Sequence, residues 1–305
     1  MEKGITLLAL HDQTYGWWAY NMAISIKYLN PKLTIQLVTD KLVLDGLTKW
    51  HLKKFDIITK ITDKHKQTKD QYNGRQLQFD PAFAKMNLYK YIAFDHTIYL
   101  DVDGLCVRDL EFLFQECIGM EGGYYTDLIN KGRLGGTFKD MAWATPDIIW
   151  EKFKLDKDAV MPFTNSSFQY IKKCTETEIL FDTILDCYNS RFELKDLKHT
   201  WGKGQPDELY LNIALTKCNI MPVLPLTKKV VALRNKAVKG MDDITKESFI
   251  LGLYGIKNIH THTTMVDLAE VYLRKIYKDM LDMDNSFKVK YLMNFKYLKK
   301  NRDNR

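Results

Sequence analysis

The sequence predicts an α/β fold, a mainly parallel sheet flanked by helices, and three observations carry that prediction. Residues 4–10 form an apolar strand, 17–29 a helical pattern and 33–40 a second apolar run. That is a βαβ unit, which builds parallel sheets with ligands at the carboxyl ends of the strands. Second, residues 97–100 are a β-branched and aromatic run, too short for a helix, that leads straight into Asp101-Val102-Asp103-Gly104. Third, the 305 residues are 46% hydrophobic and 27% charged, a globular balance with enough apolar material for a sizeable core.

The elements follow in order. The first strand delivers a polar loop, residues 11–16, with His11, Asp12 and Tyr15. This loop stands where a parallel sheet meets its ligands, and Tyr15 offers a ring on which a base can stack. The plain alternative is a tyrosine packed on the start of the next helix. That helix is closed by Asn30-Pro31. Residues 55–61 make a weaker third strand, and the lysine-rich stretch 62–74 reads as a surface loop ending at Arg75. Residues 83–91 have helical spacing and carry Lys85. In the functional reading Lys85 reaches a phosphate; in the plain one it is a solvated helix lysine.

The acid-ended strand comes next. A buried strand that ends in acid delivers it to a rim, because an unpaired charge inside costs several kcal/mol. Asp101 and Asp103 are two apart and share one side of a regular strand. Two hard oxygen donors suit Mg²⁺ or Mn²⁺, although a polar strand end with a turn reads the same way. Beyond it lie Glu121-Gly122-Gly123-Tyr124-Tyr125 and Gly132-Arg133-Leu134-Gly135-Gly136-Thr137, which read as an acceptor-side insertion or mobile loop. No Gly-Lys-Ser/Thr follows the glycines, so they do not make a Walker phosphate cradle. Asp207 opens a helix through Leu215, where capping is its plain role. From Met265 on the chain is helical and basic, with Tyr291, Leu292, Phe295 and Leu298 at helical spacing among lysines. Such a segment fits an anionic membrane surface, or in the plain reading packs on the domain with a solvated lysine face.

Charge and cysteine usage narrow the class. A net charge of +7 suits an anionic ligand but is too evenly spread to argue for nucleic acid. Five widely spaced cysteines without a Cys-x-x-Cys pair speak against a disulfide framework or a zinc site. The apolar run 5–10 is cut off by His11 and Asp12, unlike a signal peptide, and no stretch has the length of a membrane span. A soluble, cytoplasmic protein is expected, peripheral to a membrane if the basic C-terminus binds one.

These residues, taken together, carry a resemblance. Lys85 with Tyr99-Leu100-Asp101-Val102-Asp103, then Phe163-Thr164-Asn165-Ser166-Ser167, then Asp207-Glu208-Leu209-Tyr210-Leu211-Asn212, and last Ile259-His260-Thr261-His262 resemble, in order, the blocks of the glycogenin-like retaining glycosyltransferases. That resemblance implies a GT-A (Rossmann-like) sheet and a metal-dependent, UDP-sugar hexosyltransferase with a glycan, protein or lipid-linked acceptor. It implies a nucleotide site of Leu8, His11, Asp12, Tyr15, Lys85, Asp101, Val102 and Asp103. Asp101, Asp103 and His260 are the implied ligands of Mn²⁺ or Mg²⁺, with His262 the alternative imidazole, and Asp207, Asn165 and Lys85 the implied catalytic residues. Three departures stand out: Ser167 replaces a glycine, Glu208 replaces a glutamine, and no Gly-x-x-Lys-Pro-Trp follows the histidines. The expected organisation is a catalytic domain over 1–264, with a donor half of about 1–104 and an acceptor half of about 105–264, and a helical basic extension over 265–305. The competing function is a non-catalytic nucleotide- or carbohydrate-binding protein on the same fold. A nucleic-acid acceptor finds no supporting motif.

Overall fold

The computed structural model describes residues 2–62, 68–69, 76–77, 81–133, 146–190, 207–222, 224, 230–232, 246, 248–253 and 263–280. The chain opens with β1 (Lys3–Ala9), α1 (Gln13–Leu29) and β2 (Thr34–Thr39), followed by α2 (Lys41–Asp45), α3 (Lys49–Leu52) and β3 (Ile57–Lys60). The short strands β4 (Thr68–Lys69) and β5 (Gln76–Leu77) precede α4 (Pro81–Met86) and α5 (Leu88–Tyr91). Then come β6 (His96–Leu100), β7 (Gly104–Cys106), α6 (Glu111–Ile118), β8 (Tyr124–Arg133), α7 (Pro146–Phe153) and β9 (Val160–Lys172). The last elements are α8 (Thr175–Asn189), α9 (Asp207–Lys217), β10 (Val231–Ala232), β11 (Ile250–Gly252) and α10 (Thr263–Met280).

Six strands form one sheet in the order β3-β2-β1-β6-β9-β8. Helical crossovers make it mainly parallel, whereas β9 runs antiparallel to both β6 and β8. The strands β10, β11 and β7 form a second small sheet. Both β1 and β6 are buried along almost their whole length, as strands covered on two faces are. The expected α/β architecture is therefore present.

Two compact units divide the chain. One comprises Met1–Thr6, Thr59–Leu100 and Cys117–Pro225; the other comprises Leu7–Ile58, Asp101–Glu116 and Leu226–Arg305. The first is built on β6, β8 and β9, with fully buried Tyr99, Tyr124, Phe168, Tyr170 and Tyr210. In the second, α1 is buried without interruption from Trp18 to Ile26, so it is a core helix and not a surface one. Its polar residues are used inside: Ser25 Oγ accepts the Cys106 N–H at 2.9 Å, and Asn21 Oδ1 accepts the Tyr277 hydroxyl of α10 at 2.8 Å.

Several local expectations are corrected. The first helix begins at Gln13 rather than Trp17, because Asp12 Oδ1 accepts the Thr14 N–H at 2.8 Å and caps it. Tyr15 thus sits in the first helical turn and not in a loop. β2 stops at Thr39, since Asp40 caps α2 through the Val43 N–H at 2.9 Å. The helix expected over 83–91 breaks at Asn87, a residue whose side chain competes with helical bonds.

The largest correction concerns the glycine-flanked insertion. Residues 124–133 form the ten-residue strand β8, because Tyr124, Tyr125 and Thr126 favour a pleated surface and β9 supplies the partner backbone. Gly123 reflects close packing and not mobility. A side chain there meets Thr177 and Cys174 at the start of α8, while its own N–H goes to Glu176 Oε2 at 3.1 Å. Arg75, residues 134–137, His260, His262 and the basic tail after Met280 lie outside the described residues. Among the described residues no helix is long and apolar enough to cross a membrane.

Candidate functional site

In the first unit, β9 does not pair evenly with β8. Thr126 stands opposite Gln169 and the next residue, Asp127, opposite Asn165, so Ser166, Ser167 and Phe168 bulge out of register. A bulge bends the strand and re-aims its side chains. Thr126 Oγ1 braces both of its edges, lying 2.9 Å from Asn165 O and 2.6 Å from Phe168 O. Gln169 Nε2 closes it from inside by donating to Ser166 O at 3.1 Å, and Gln169 Oε1 accepts the Tyr124 hydroxyl at 3.0 Å.

The bulge presents Ser166 to two helices. Lys85, in the last turn of α4, donates from Nζ to Ser166 Oγ at 2.9 Å and pairs with Asp207 Oδ2 at 2.8 Å. Ser166 Oγ also stands 3.0 Å from Asp207 Oδ2 and 3.0 Å from Glu208 Oε1. Lys85 and Asp207 side chains are 10% and 21% exposed, so this ion pair is largely withdrawn from water but still open on one side. The Lys85 ammonium also lies 5.4 Å from the centre of the Tyr99 ring. One turn further along α9, Thr164 donates to Asn212 Oδ1 at 2.7 Å and ties the helix to β9.

The two carboxyls at the start of α9 are driven apart. Burial alone pushes Asp207 up, but the Lys85 charge, together with hydrogen bonds from Glu208, Lys85 and Ser166, outweighs it and brings the group down to about 2. Glu208 goes the other way: burial first, then the Asp207 charge, push it up to about 8. Adjacent carboxyls with opposite shifts are the pattern of an acid–base pair.

In the second unit, β1 ends at a bend built by His11, whose φ of 61° is the left-handed conformation. The His11 N–H donates to Asp40 Oδ2 at 2.6 Å, which holds that bend in place. Tyr15 packs against His11 at 5.1 Å and edge-on against Trp18 at 5.2 Å between ring centres. Leu8 is buried in β1. Asp101 and Asp103 lie in the bend between β6 and β7, both half-buried on either side of a buried Val102.

The turn after these acids is fixed by close packing. A side chain at Gly104 comes within 3.0 Å of Leu251 O, so a larger residue there has to push β11 slightly away from β7. The Leu253 N–H bonds Asp103 O at 2.8 Å, which seats the residue after β11 beside the acid. A small cavity adjoins Asp103, walled by Trp18 and Asn21 of α1 and by Leu253. The buried Trp18 Nε1–H has no hydrogen-bond partner among the described residues.

The structure thus brings Lys85 and Asp207 together, and it keeps Asp101, Val102 and Asp103 on one turn with Leu253 beside them. Asn165 is buried, its side-chain oxygen accepting the Ser167 N–H at 3.2 Å at the edge of the bulge. Ser166 and Glu208 were not foreseen as site residues. A run of four polar residues, Thr164-Asn165-Ser166-Ser167, between Phe163 and Phe168 was the available signal, because buried polar groups require partners.

No family model matches the sequence, and no curated protein does. Solved structures do. The galactosyltransferase LgtC, in complex with donor and acceptor sugar analogues, superposes with a TM-score of 0.53 at 14% identity, covering 94% of this chain and 99% of that one. The apo bifunctional glycosyltransferase WbbM gives 0.51 at 13% identity over 91% of this chain, which spans only 52% of WbbM. At these identities the likeness establishes the fold. This chain has the GT-A architecture of structural neighbours that are glycosyltransferases.

Proposed function

We propose that this chain is a metal-dependent glycosyltransferase that moves a sugar from a UDP-sugar to an acceptor hydroxyl. The observation that carries this reading is the Lys85–Ser166–Asp207–Glu208 cluster on the β9 bulge of a GT-A fold. A half-buried ion pair with a second carboxyl beside it is a poor way to stabilise a core, and a good way to hold a polyhydroxylated ligand. Asp207 offers acceptor oxygens fixed by Lys85, Glu208 adds a titratable group, and Asn165 flanks them at the bulge. The binding of donor and acceptor sugar analogues by LgtC supports the same substrate class for this chain. Retention of anomeric configuration rests on the resemblance to the glycogenin-like enzymes.

In the second unit, Leu8, His11, Asp12 and Tyr15 at the end of β1 are assigned to the nucleotide. Asp101 and Asp103 fit a hard divalent cation: two half-buried carboxylates two residues apart on one bend supply oxygen donors. His260, seven residues beyond Leu253, completes the assignment. When bound, such a cation neutralises the charge that grows on a diphosphate leaving group. The unpaired Trp18 N–H beside Asp103 gives the same region a donor for a ligand oxygen.

The test is a screen of UDP-sugars for Mn²⁺-dependent hydrolysis and thermal stabilisation, run on the wild type and on Asp103→Ala. The expected result is one donor hydrolysed and stabilising only with Mn²⁺, with both effects lost in the variant. Equal response of the two proteins overturns the metal assignment; no response to any nucleotide sugar overturns the function.

A further inference from the structure

The protons in the Lys85–Ser166–Asp207–Glu208 cluster can be counted from its geometry. A serine hydroxyl has one proton and two lone pairs, and a lysine ammonium is donor only. Lys85 Nζ occupies one lone pair of Ser166 Oγ at 2.9 Å. Two carboxylate oxygens, Asp207 Oδ2 and Glu208 Oε1, each stand 3.0 Å from the same hydroxyl. One hydroxyl proton cannot serve two ionised carboxylates, so a second proton must lie on one of the acids. Asp207 Oδ2 is also the ion partner of Lys85 at 2.8 Å, which keeps Asp207 ionised. In either remaining arrangement Glu208 carries that proton, given to the second lone pair of Ser166 or to Asp207, with which Glu208 also shares a hydrogen bond.

We propose that Glu208 stands in this site as an uncharged carboxylic acid whose proton is held within the Ser166–Asp207 pair. It acts as a positioning residue that lets Lys85 and Asp207 pair without a second negative charge, and the site engages the donor sugar in this one-proton state only. The second half of the proposal rests on the glycosyl-transfer reading above; the placement of the proton does not. The groups facing Glu208 are consistent with it. Asp207 lies beside it on α9, α4 contributes Lys85, and β9 contributes the neutral Ser166. Tyr124 of β8, held protonated by burial, senses the same two charges, while α8 meets α9 through the rings of Tyr188 and Tyr210. The upward push on Glu208, to about 8, has the same sign. A protonated carboxyl presents one C=O and one O–H, so beside Asp207 it acts as donor and acceptor without adding charge.

Two measurements test this on the full chain. Infrared difference spectra of wild type against Glu208→Gln should show a protonated carboxyl stretch in the wild type at pH 7. That band should fade as pH rises through about 8, and Lys85→Gln should move its midpoint upward, because the Lys85 charge favours the ionised form. No such band at pH 7, or a midpoint unmoved in folded Lys85→Gln, overturns the proton placement. In the second measurement, Mn²⁺-dependent hydrolysis of UDP-glucose and UDP-galactose is followed from pH 6 to about 10. The wild-type rate should fall about tenfold per pH unit above the Glu208 midpoint, whereas Glu208→Gln should show no such fall. Parallel pH profiles overturn the positioning role. Absence of turnover with a clear infrared band sinks the transferase reading and leaves the proton where the geometry puts it.

Discussion

Two pairs of acids in this molecule are held in opposite ways. Asp207 and Glu208 open a helix, share a hydroxyl and are balanced by Lys85, whose side chain is only 10% exposed. Asp101 and Asp103 follow a strand, sit half-buried around Val102, and are placed by backbone contacts such as the Leu253 N–H to Asp103 O bond. The first pair belongs to a cluster whose charges answer one another within the protein. The second sits on a bend whose backbone is held by the residue that follows β11. Acids that must keep a fixed protonation state need neighbours that set it; acids that hold a cation need an accessible side and a rigid main chain.

Four experiments break or sharpen that contrast. The largest effect is expected from Lys85→Ala. It leaves Asp207 withdrawn from water with its cation gone, which should cost about 3 kcal/mol of stability and abolish transfer, as measured by urea unfolding and by assay. A loss below 1 kcal/mol (roughly the worth of an exposed pair) would show that the cluster is not internally balanced. Next comes Asp207→Asn, which keeps shape and removes charge. Transfer should drop about 100-fold while calorimetric UDP affinity stays nearly unchanged, because the loss falls on the transition state.

Asp103→Ala should do the reverse. UDP affinity in Mn²⁺ should fall about tenfold or more while stability shifts by no more than about 0.5 kcal/mol. Similar stability losses in Asp103→Ala and Asp207→Asn would erase the distinction between the two pairs.

The smallest effect concerns pH. Glu208 is raised in the fold, so its contribution to stability is fully present below its ordinary value near 4.5 and is lost as pH climbs through about 8. Asp207 is lowered, so its contribution is present above about 3.8 and is lost as pH falls through about 2. Relative to wild type, Glu208→Gln should therefore gain stability between pH 5 and 9, on the order of 1 kcal/mol for a half-buried group. A pH-independent difference between the two melting curves would remove the raised acid from the account.

Much of the scaffold was legible because its signals are local. The βαβ start, the short strand running into Asp101 and Asp103, and the helix opened by Asp207 each announce themselves through periodicity and end chemistry along one stretch of chain. Boundaries moved only where a side chain met the backbone nearby, as Asp12 does in starting α1 early and Asp40 in ending β2. The insertion after Glu121 was misjudged for a different reason. Its glycines suit a loop as well as they suit a close approach, and only β9 and the start of α8 make Tyr124–Arg133 a strand.

By itself, then, the sequence determined the α/β class, the acid-ended strand and the identity of the chemistry-bearing residue types, since each depends on neighbours along the chain. Only the tertiary structure decided that Lys85 is a buried partner and not a solvated lysine, and that Ser166 and Glu208 belong with Asp207. Lys85 and Ser166 are 81 positions apart, and Ser166 and Asp207 another 41. Nothing local to a lysine on a short helix records the three-residue bulge in β9 that brings a hydroxyl to it. The protonation of a carboxyl is set by charges and burial a few ångströms away in space, and sequence order does not encode that distance.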